Sequence, residues 1–284
     1  MSIVVTGATG HLGRHVVEQL LEKVPAERIT AVVRNEAKAA DLVARGVKPA
    51  VADYNVPETF DHLFAAGDKV LLISGNEFDK GRVRQHQVVI DAARAAGVAL
   101  LAYTSAPGTL TAALADDHRA TEEVLLASGL PYSLLRNGWY HENYTENLAP
   151  VLEHGAVVQA AGDGRISSAS RADYAAAAVA VLTGEGHENT TYELGGDEAW
   201  DFASYAAELS RQTGREIVYN RVSVEAYAGI LSGAGLPGQL ATILAGVDVS
   251  VEKGELVVTS GDLSRLIGRP TTPLAEAVTA ALKG

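Results

Sequence analysis

The sequence contains no cysteine, few positive charges and no long apolar run. Without cysteine, the chain can form no disulfide, no thiolate nucleophile and no cysteine-based metal site. No apolar run reaches the roughly 18 residues that a membrane-spanning helix requires. The N-terminus has no basic segment ahead of an apolar stretch, so we predict no signal peptide and a soluble, cytoplasmic protein.

The charge balance limits the class of partner. The chain has 23 Lys and Arg against 35 Asp and Glu, which gives a net charge of −12. Contacts with nucleic-acid phosphates require clustered Lys and Arg, so we expect no nucleic-acid partner. The 284 residues, of which 47% are hydrophobic, are typical of a packed globular protein of one large or two smaller domains.

The first 137 residues alternate between short β-branched runs and amphipathic helical stretches. The six predicted strands are Ile3–Thr6, Ile29–Val33, Val47–Ala52, Lys69–Ile73, Leu100–Thr104 and Ser133–Arg136. Their nearly continuous apolar character is typical of parallel strands with helices on both faces. We therefore predict an α/β Rossmann domain with a doubly wound, mainly parallel sheet, and Pro49 indicates that the third strand lies at an edge.

The second half of the chain has a different pattern. Glycines predict a loop-rich stretch over residues 155–164, followed by a helix that ends near Thr183. Asp201 is a predicted N-cap of a further helix, Glu216–Arg221 is a predicted strand, and residues 224–283 are predicted to be mostly helical.

These patterns divide the chain into two parts. We predict a Rossmann domain over residues 1–140, with further contributions from about 156–184. Residues 141–284 are predicted to form a smaller, mainly helical α/β lobe that holds the substrate. Ligands of such folds bind in the cleft at the carboxyl ends of the parallel strands.

A glycine-rich loop follows the first strand. The glycines Gly7, Gly10 and Gly13 form a G-x-x-G-x-x-G pattern ahead of an amphipathic helix. In this strand–loop–helix context they permit a tight turn, the close approach of a pyrophosphate and close packing of helix on strand. The free amides and dipole of the helix start then favour the phosphates, which predicts a dinucleotide cofactor.

The end of the second strand indicates which dinucleotide binds. An NAD site usually places Asp or Glu there, whereas an NADP site offers a cation to the 2′-phosphate. Here Val33 is followed by Arg34 and Asn35, with Lys38 one turn further on. Arg34 is either a solvated loop residue or the 2′-phosphate ligand, and we predict the second, with NADPH preferred over NADH.

Two common catalytic arrangements are missing from the sequence. None of the ten tyrosines has Lys four residues later, and Tyr132 comes nearest, with Arg136. A dedicated tyrosine acid paired with lysine is therefore disfavoured. The eight histidines are scattered, and the one i, i+4 pair, His11 and His15, lies at the glycine loop, so we predict no metal site.

Further segments add to the glycine loop: Val32–Asn35, Ala52–Tyr54, Leu71–Ser74, Ala102–Ser105, Leu135–Tyr140, Ala161–Gly164, Arg171–Tyr174 and Leu266–Gly268. Together they resemble the NmrA-like branch of atypical short-chain dehydrogenases. Within it, the chain is similar to the type-2 NAD(P)H:quinone oxidoreductases and to the related triphenylmethane-dye reductases. The resemblance runs nearly end to end, and the segment Arg136–Tyr140 is its most specific part.

The resemblance implies NADP(H) as the cofactor, direct hydride transfer to a quinone, and neither flavin nor metal. The implied cofactor contacts are Gly7, Ala8, Thr9, Gly10, His11, Leu12, Gly13, Arg34, Ile73, Ser74, Asn137, Gly138, Trp139 and Tyr140. Some NmrA-like reductases carry Lys thirteen residues before the Pro of a Gly-Ile-Pro-Tyr segment. That position is His118 here, counted back from Pro131, which fits a quinone or dye reductase better than a lysine-assisted reductase.

Quinone reduction requires little of the protein beyond stacking the acceptor on the nicotinamide and stabilising an oxyanion. The candidate catalytic donors are Asn137, Tyr140 and His118, and Tyr140 and Asn143 are candidate substrate contacts. Other interpretations stay open, because Trp139 and Tyr140 suit a plain core, and Asn143 and His118 suit a solvated helix surface. Tyr103 suits packing as well as chemistry.

Three functions are compatible with these features. The first is an NADPH-dependent quinone oxidoreductase, and the second is a reductase of another electrophilic aromatic, such as a triphenylmethane dye. The third is a regulator that senses NADP(H) without turnover. A monomer and a homodimer suit the sequence equally well.

Overall fold

The computed structural model describes residues 2–75, 81–111 and 115–283. The strands are β1 (Ile3–Val5), β2 (Ile29–Val33), β3 (Lys48–Val51), β4 (Lys69–Leu72), β5 (Leu100–Ser105), β6 (Tyr132–Asn137), β7 (Ala156–Gln159), β8 (Arg165–Ile166), β9 (Thr190–Leu194), β10 (Trp200–Asp201) and β11 (Val218–Arg221).

The α-helices are α1 (His11–Leu20), α2 (Ala40–Ala44), α3 (Gly81–Ala96), α4 (Asp116–Ala127), α5 (Glu142–Thr145), α6 (Ala149–His154), α7 (Arg171–Thr183), α8 (Phe202–Thr213), α9 (Val224–Gly233), α10 (Gly238–Glu252), α11 (Asp262–Ile267) and α12 (Leu274–Ala281). None of the helices in the described ranges has the length and apolar character needed to cross a membrane.

The central sheet has seven strands in the order β3-β2-β1-β4-β5-β6-β9, and all neighbouring pairs are parallel. This order confirms the predicted Rossmann fold and places β3, with Pro49, at an edge. The order reverses between β1 and β4, and ligands of such sheets bind outside the strand ends at that point. The glycine loop leaves β1 there.

Two apolar clusters cover the two faces of the sheet. On one face α1 and α7 contribute residues such as Val16 and Val181, and on the other α3 and α4 contribute residues such as Ile90 and Leu125. A third cluster lies outside the sheet, around Trp200 and helices α8, α10 and α12. Two small two-stranded sheets, β10-β8 and β11-β7, belong to this outer part of the molecule.

The predicted strands are found within two residues of their expected ends. The structure differs from the prediction in two ways. The predicted loop over residues 155–164 contains β7, and three strands are not predicted: the short β8 and β10, and β9, the seventh strand of the central sheet. β9 lies at the sheet edge and buries only two of its five residues, so it lacks the apolar run of an inner strand. The division of the chain near residue 140 stays a prediction.

Candidate functional site

The loop after β1 has a backbone that only glycine fits. Gly7 has a φ of +60°, and its carbonyl accepts a hydrogen bond from the Gly10 amide at 2.9 Å. A Cβ on Gly13 would lie 2.2 Å from the Gly7 oxygen and 2.9 Å from the Ala8 Cα. The close contact of α1 with the loop therefore depends on Gly13, as the sequence predicts.

The start of α1 has the features of an anion site. Gly10 precedes the helix, and no side chain of the described residues caps its first amides. Gly7, Gly10 and His11 are exposed, so the start of α1 is open to a ligand. The exposed backbone donors and the positive end of the helix dipole fit a pyrophosphate without requiring any basic side chain.

The ends of β1 and β4 are joined by a tyrosine that is not among the predicted site residues. The Tyr54 hydroxyl lies 2.9 Å from the Ile73 carbonyl and also contacts the Thr6 hydroxyl. Thr6 in turn donates to the Leu71 carbonyl at 3.1 Å and accepts from the Ile73 amide at 3.1 Å. Burial raises the pKa of Tyr54, so it stays protonated and holds the two loops together.

Arg34 lies at the carboxyl end of β2, where the sequence predicts the 2′-phosphate ligand. It is exposed, and no acidic side chain among the described residues forms an ion pair with it. The neighbouring Arg14 is occupied, since it pairs with Asp41 and donates to the Lys38 carbonyl at 3.0 Å. Of these two arginines, Arg34 is the one whose charge is open to a ligand.

The two residues Ser74 and Gly75, which follow β4, are held in place by hydrogen bonds to buried side chains. The Ser74 amide donates to the Thr104 hydroxyl at 2.9 Å, and the Gly75 amide donates to His86 Nε2 at 2.9 Å. His86 must therefore be neutral, with its proton on Nδ1, 2.9 Å from the Thr121 hydroxyl. Burial and the nearby Arg82 charge lower the pKa of His86 to about 3, which keeps this anchor unprotonated.

His118 is not the solvated residue that its acidic neighbours suggest. It is 7% exposed, with Nε2 2.9 Å from Arg82 Nη2 and Nδ1 2.9 Å from the Tyr103 hydroxyl. Because arginine only donates, Nε2 accepts and the ring proton lies on Nδ1. Burial and Arg82 hold the pKa of His118 well below its usual value. Both ring nitrogens are occupied, and the catalytic role of His118 stays a prediction.

The end of β6 presents the other predicted catalytic residues. Asn137 is buried and its Oδ1 has no hydrogen-bond partner among the described residues. A Cβ on Gly138 would lie 2.9 Å from both the Leu194 oxygen and the Tyr174 hydroxyl, so glycine is required there. A buried amide oxygen without a partner is costly, which indicates that a ligand completes this site.

Tyr140 is held edge-on against Tyr174, at 5.3 Å between ring centroids, with the Arg171 guanidinium 5.2 Å from its ring centroid. Burial raises the pKa of Tyr140, and a hydrogen bond from Asn137 opposes that shift. The phenol is therefore a neutral donor near pH 7. Asn143, three residues on, is exposed in α5, and its contact with a substrate stays a prediction.

Ile73, Ser74 and the segment from Asn137 to Tyr140 thus lie at the same edge of the sheet as the glycine loop. In the part of the chain that the structure describes, no group of three or more His, Asp or Glu residues could hold a metal ion.

Comparisons with known proteins identify the family of the chain. The sequence model of an NAD(P)H-binding family matches residues 7–185. The chain is 49% identical over 278 residues to quinone oxidoreductase 2 of Escherichia coli (strain K12), covering 97% of each chain. It is 30% identical to an NAD(P)H azoreductase of Xenophilus azovorans, covering 96% of each.

Solved structures of similar proteins also match the chain. An NADPH-dependent quinone oxidoreductase from Escherichia coli, complexed with NADPH, matches with a TM-score of 0.95 at 48% identity, covering 99% of each chain. Triphenylmethane reductase of Citrobacter sp. matches with a TM-score of 0.94 at 43% identity, covering 100% of each chain. These matches confirm the resemblance found in the sequence: the chain belongs to the NAD(P)H-binding family, among the relatives of quinone oxidoreductase 2 and triphenylmethane reductase.

Proposed function

We propose that this protein is an NADPH-dependent quinone oxidoreductase that transfers hydride directly from NADPH to the quinone. The observation that carries the proposal is the 49% identity to quinone oxidoreductase 2, which extends over 97% of the chain. The geometry supports it, because the glycine loop, Arg34 and the end of β6 share one edge of the sheet.

The residues present fit NADPH. The Gly7–Gly13 loop and the first amides of α1 would hold the pyrophosphate, and Arg34 would bind the 2′-phosphate. Bound there, NADPH supplies the hydride. The unpaired Asn137 Oδ1 offers an acceptor to a ligand N–H, such as that of a carboxamide.

The remaining chemistry falls to Asn137 and Tyr140. A quinone that gains hydride develops negative charge on oxygen, and the neutral Tyr140 hydroxyl can donate a hydrogen bond to that oxygen. Asn137 positions the hydroxyl through their hydrogen bond. Because the product is a phenolate-type anion that water can protonate, no dedicated acid of shifted pKa is needed. We propose no flavin, no metal and a cytoplasmic location for this reaction.

A second candidate, reduction of a triphenylmethane dye, is favoured by the TM-score of 0.94 to triphenylmethane reductase. Steady-state NADPH oxidation with a panel of quinones and one such dye distinguishes the candidates. Turnover with quinones at a higher kcat/KM than with the dye supports the proposal. The reverse order would favour the dye reductase, and NADP binding without any turnover would favour a redox sensor.

A further inference from the structure

A carboxylate links the glycine loop to the start of α7. Glu146 follows α5, and one of its oxygens, Oε1, contacts both Arg171 Nη1 and His11 Nδ1. The distance from this oxygen to His11 Nδ1 is 3.7 Å. His11 is the first residue of α1, beside the amides that are predicted to hold the pyrophosphate. Because a single oxygen touches both side chains, the guanidinium of Arg171 and the imidazole of His11 are neighbours.

Arg171 also lies against the predicted catalytic residues. Its guanidinium carbon is 5.2 Å from the centroid of the Tyr140 ring. Tyr140 is predicted to act where the hydride is transferred, whereas His11 is predicted to contact the cofactor at the glycine loop. A dinucleotide that extends from the start of α1 to the end of β6 therefore passes the guanidinium of Arg171.

The backbone of Arg171, the first residue of α7, is held in place at this point. Ser170 caps the helix by accepting a hydrogen bond from the Asp173 amide at 3.1 Å. The Arg171 amide donates to Glu142 Oε1 at 2.9 Å. The side chain of Arg171 is 12% exposed, whereas that of Glu146 is 50% exposed. Glu146 is therefore the partner that can turn into water and leave the guanidinium in place for another anion.

The chemistry of this position suits a phosphate. A guanidinium donates two parallel hydrogen bonds to phosphate oxygens, and it keeps its charge at every physiological pH. In the central sheet, β2 lies on one side of β1 and β6 lies on the other, so Arg34 and Arg171 approach the glycine loop from different sides. The two arginines are therefore suited to different phosphates of one dinucleotide.

We propose that Arg171 binds the pyrophosphate of the cofactor, and that Glu146 holds the guanidinium until the cofactor displaces the carboxylate. The inference rests on the proposed function and deepens it, because it adds a cation to the amides at the start of α1. Phosphate oxygens replace the carboxylate oxygen at the guanidinium, so the charge of Arg171 stays neutralised before and after binding. No bond is made or broken in this exchange.

The test is the Kd for NADPH and for NADH, measured by titration calorimetry without any quinone. Arg171→Gln removes the cation, so we expect both Kd values to rise about five- to fiftyfold. The two rise by the same factor because both cofactors contain the pyrophosphate, whereas the effect of Arg34→Ala is confined to NADPH.

Glu146→Gln has the opposite effect. Glutamine keeps an oxygen beside Arg171 but removes the charge that competes with the phosphates. We therefore expect both Kd values to fall about two- to fivefold, which corresponds to the loss of an exposed ion pair. If the ion pair only held the structure together, the loss of either partner would raise both Kd values.

Arg221→Gln is the matched control. Arg221 also pairs with a carboxylate, that of Asp163, and its guanidinium carbon lies 5.4 Å from the Tyr219 ring centroid, but these residues belong to the outer part of the molecule. We expect this variant to leave both Kd values unchanged. If Arg171→Gln does not fold, the fall of Kd in Glu146→Gln still tests the inference.

Three results would overturn the inference and leave the proposed function intact. They are unchanged Kd values in both variants, a change of the same sign in both, and a rise in Arg171→Gln that is confined to NADPH. Wild-type protein that binds neither NADPH nor NADH would overturn the proposed function as well.

Discussion

Replacing Gly13 by alanine has two opposite effects on the stability of the protein. In a helix interior alanine is favoured over glycine by about 1 kcal/mol. The new Cβ, however, would lie 2.2 Å from the Gly7 oxygen and 2.9 Å from the Ala8 Cα, and both are backbone atoms that no side-chain rotation can move. Overpacking of this kind costs about 1–3 kcal/mol, so we expect Gly13→Ala to be destabilising.

The displaced loop also loses cofactor affinity. Because the clash moves Gly7 and Ala8 out of the position that fits the pyrophosphate, we expect the Kd for NADPH to rise about 5- to 100-fold. Denaturant unfolding measures the loss of stability, and titration calorimetry measures the Kd.

Gly10→Ala is the matched variant in the same loop. Its Cβ would lie 3.2 Å from the Gly7 oxygen, and the φ of −75° at Gly10 suits any residue. We expect it to leave the free energy of unfolding nearly unchanged, although it weakens NADPH binding where the pyrophosphate approaches. Wild-type stability and wild-type NADPH affinity in Gly13→Ala would refute the packing argument.

Three further predictions concern Arg34, the pair Asn137 and Tyr140, and Asp248, a buried carboxyl on α10. Arg34→Ala lowers the preference for NADPH over NADH about ten- to a hundredfold, measured as the ratio of the two kcat/KM values. An unchanged ratio would show that another residue binds the 2′-phosphate. Asn137→Ala and Tyr140→Phe each lower kcat with a quinone by roughly ten- to a hundredfold, and they lower NADPH affinity less than that. An unchanged kcat in both variants would contradict the assignment of these residues to the catalytic site. Asp248→Asn raises the free energy of unfolding at pH 8 but not at pH 4.

Asp248→Asn changes stability because it removes the ionisation of a buried carboxyl. The pKa of Asp248 rises from 3.8 to about 7 on folding, so ionisation weakens the folded state progressively between these pH values. A difference of about 3 pKa units corresponds to about 4 kcal/mol at pH 8, which asparagine removes because it stays neutral. Urea unfolding at both pH values measures the gain, and an equal effect at both would show that Asp248 does not titrate as described.

The part of the site that follows β1 could be predicted because it depends on residues that are close together in the sequence. The role of Gly13 follows from the loop in which it lies, and the role of Arg34 follows from its position after β2. Asp201 likewise caps α8 through a bond to the Ser204 amide three residues on, as its position predicts.

Features that depend on distant packing could not be predicted. His118 follows two aspartates and suggests a solvated surface, but Arg82 and Tyr103, from other elements, enclose it. Asp248, on α10, is 3% exposed and accepts a hydrogen bond from the Ala160 amide, 88 residues earlier in the chain, and nothing close to it in the sequence signals that contact. Tyr54 belongs to one of the segments that carry the family resemblance, yet its hydrogen bond to the Ile73 carbonyl depends on the folded structure.

The most direct test of direct hydride transfer is an anaerobic single turnover of flavin-free protein with a quinone and NADPH deuterated at the transferred position. Direct hydride transfer predicts one hydroquinone for each NADPH consumed, with a primary isotope effect on the rate of the chemical step. Oxidation of NADPH that begins only after flavin is added, or that yields no hydroquinone, would contradict it.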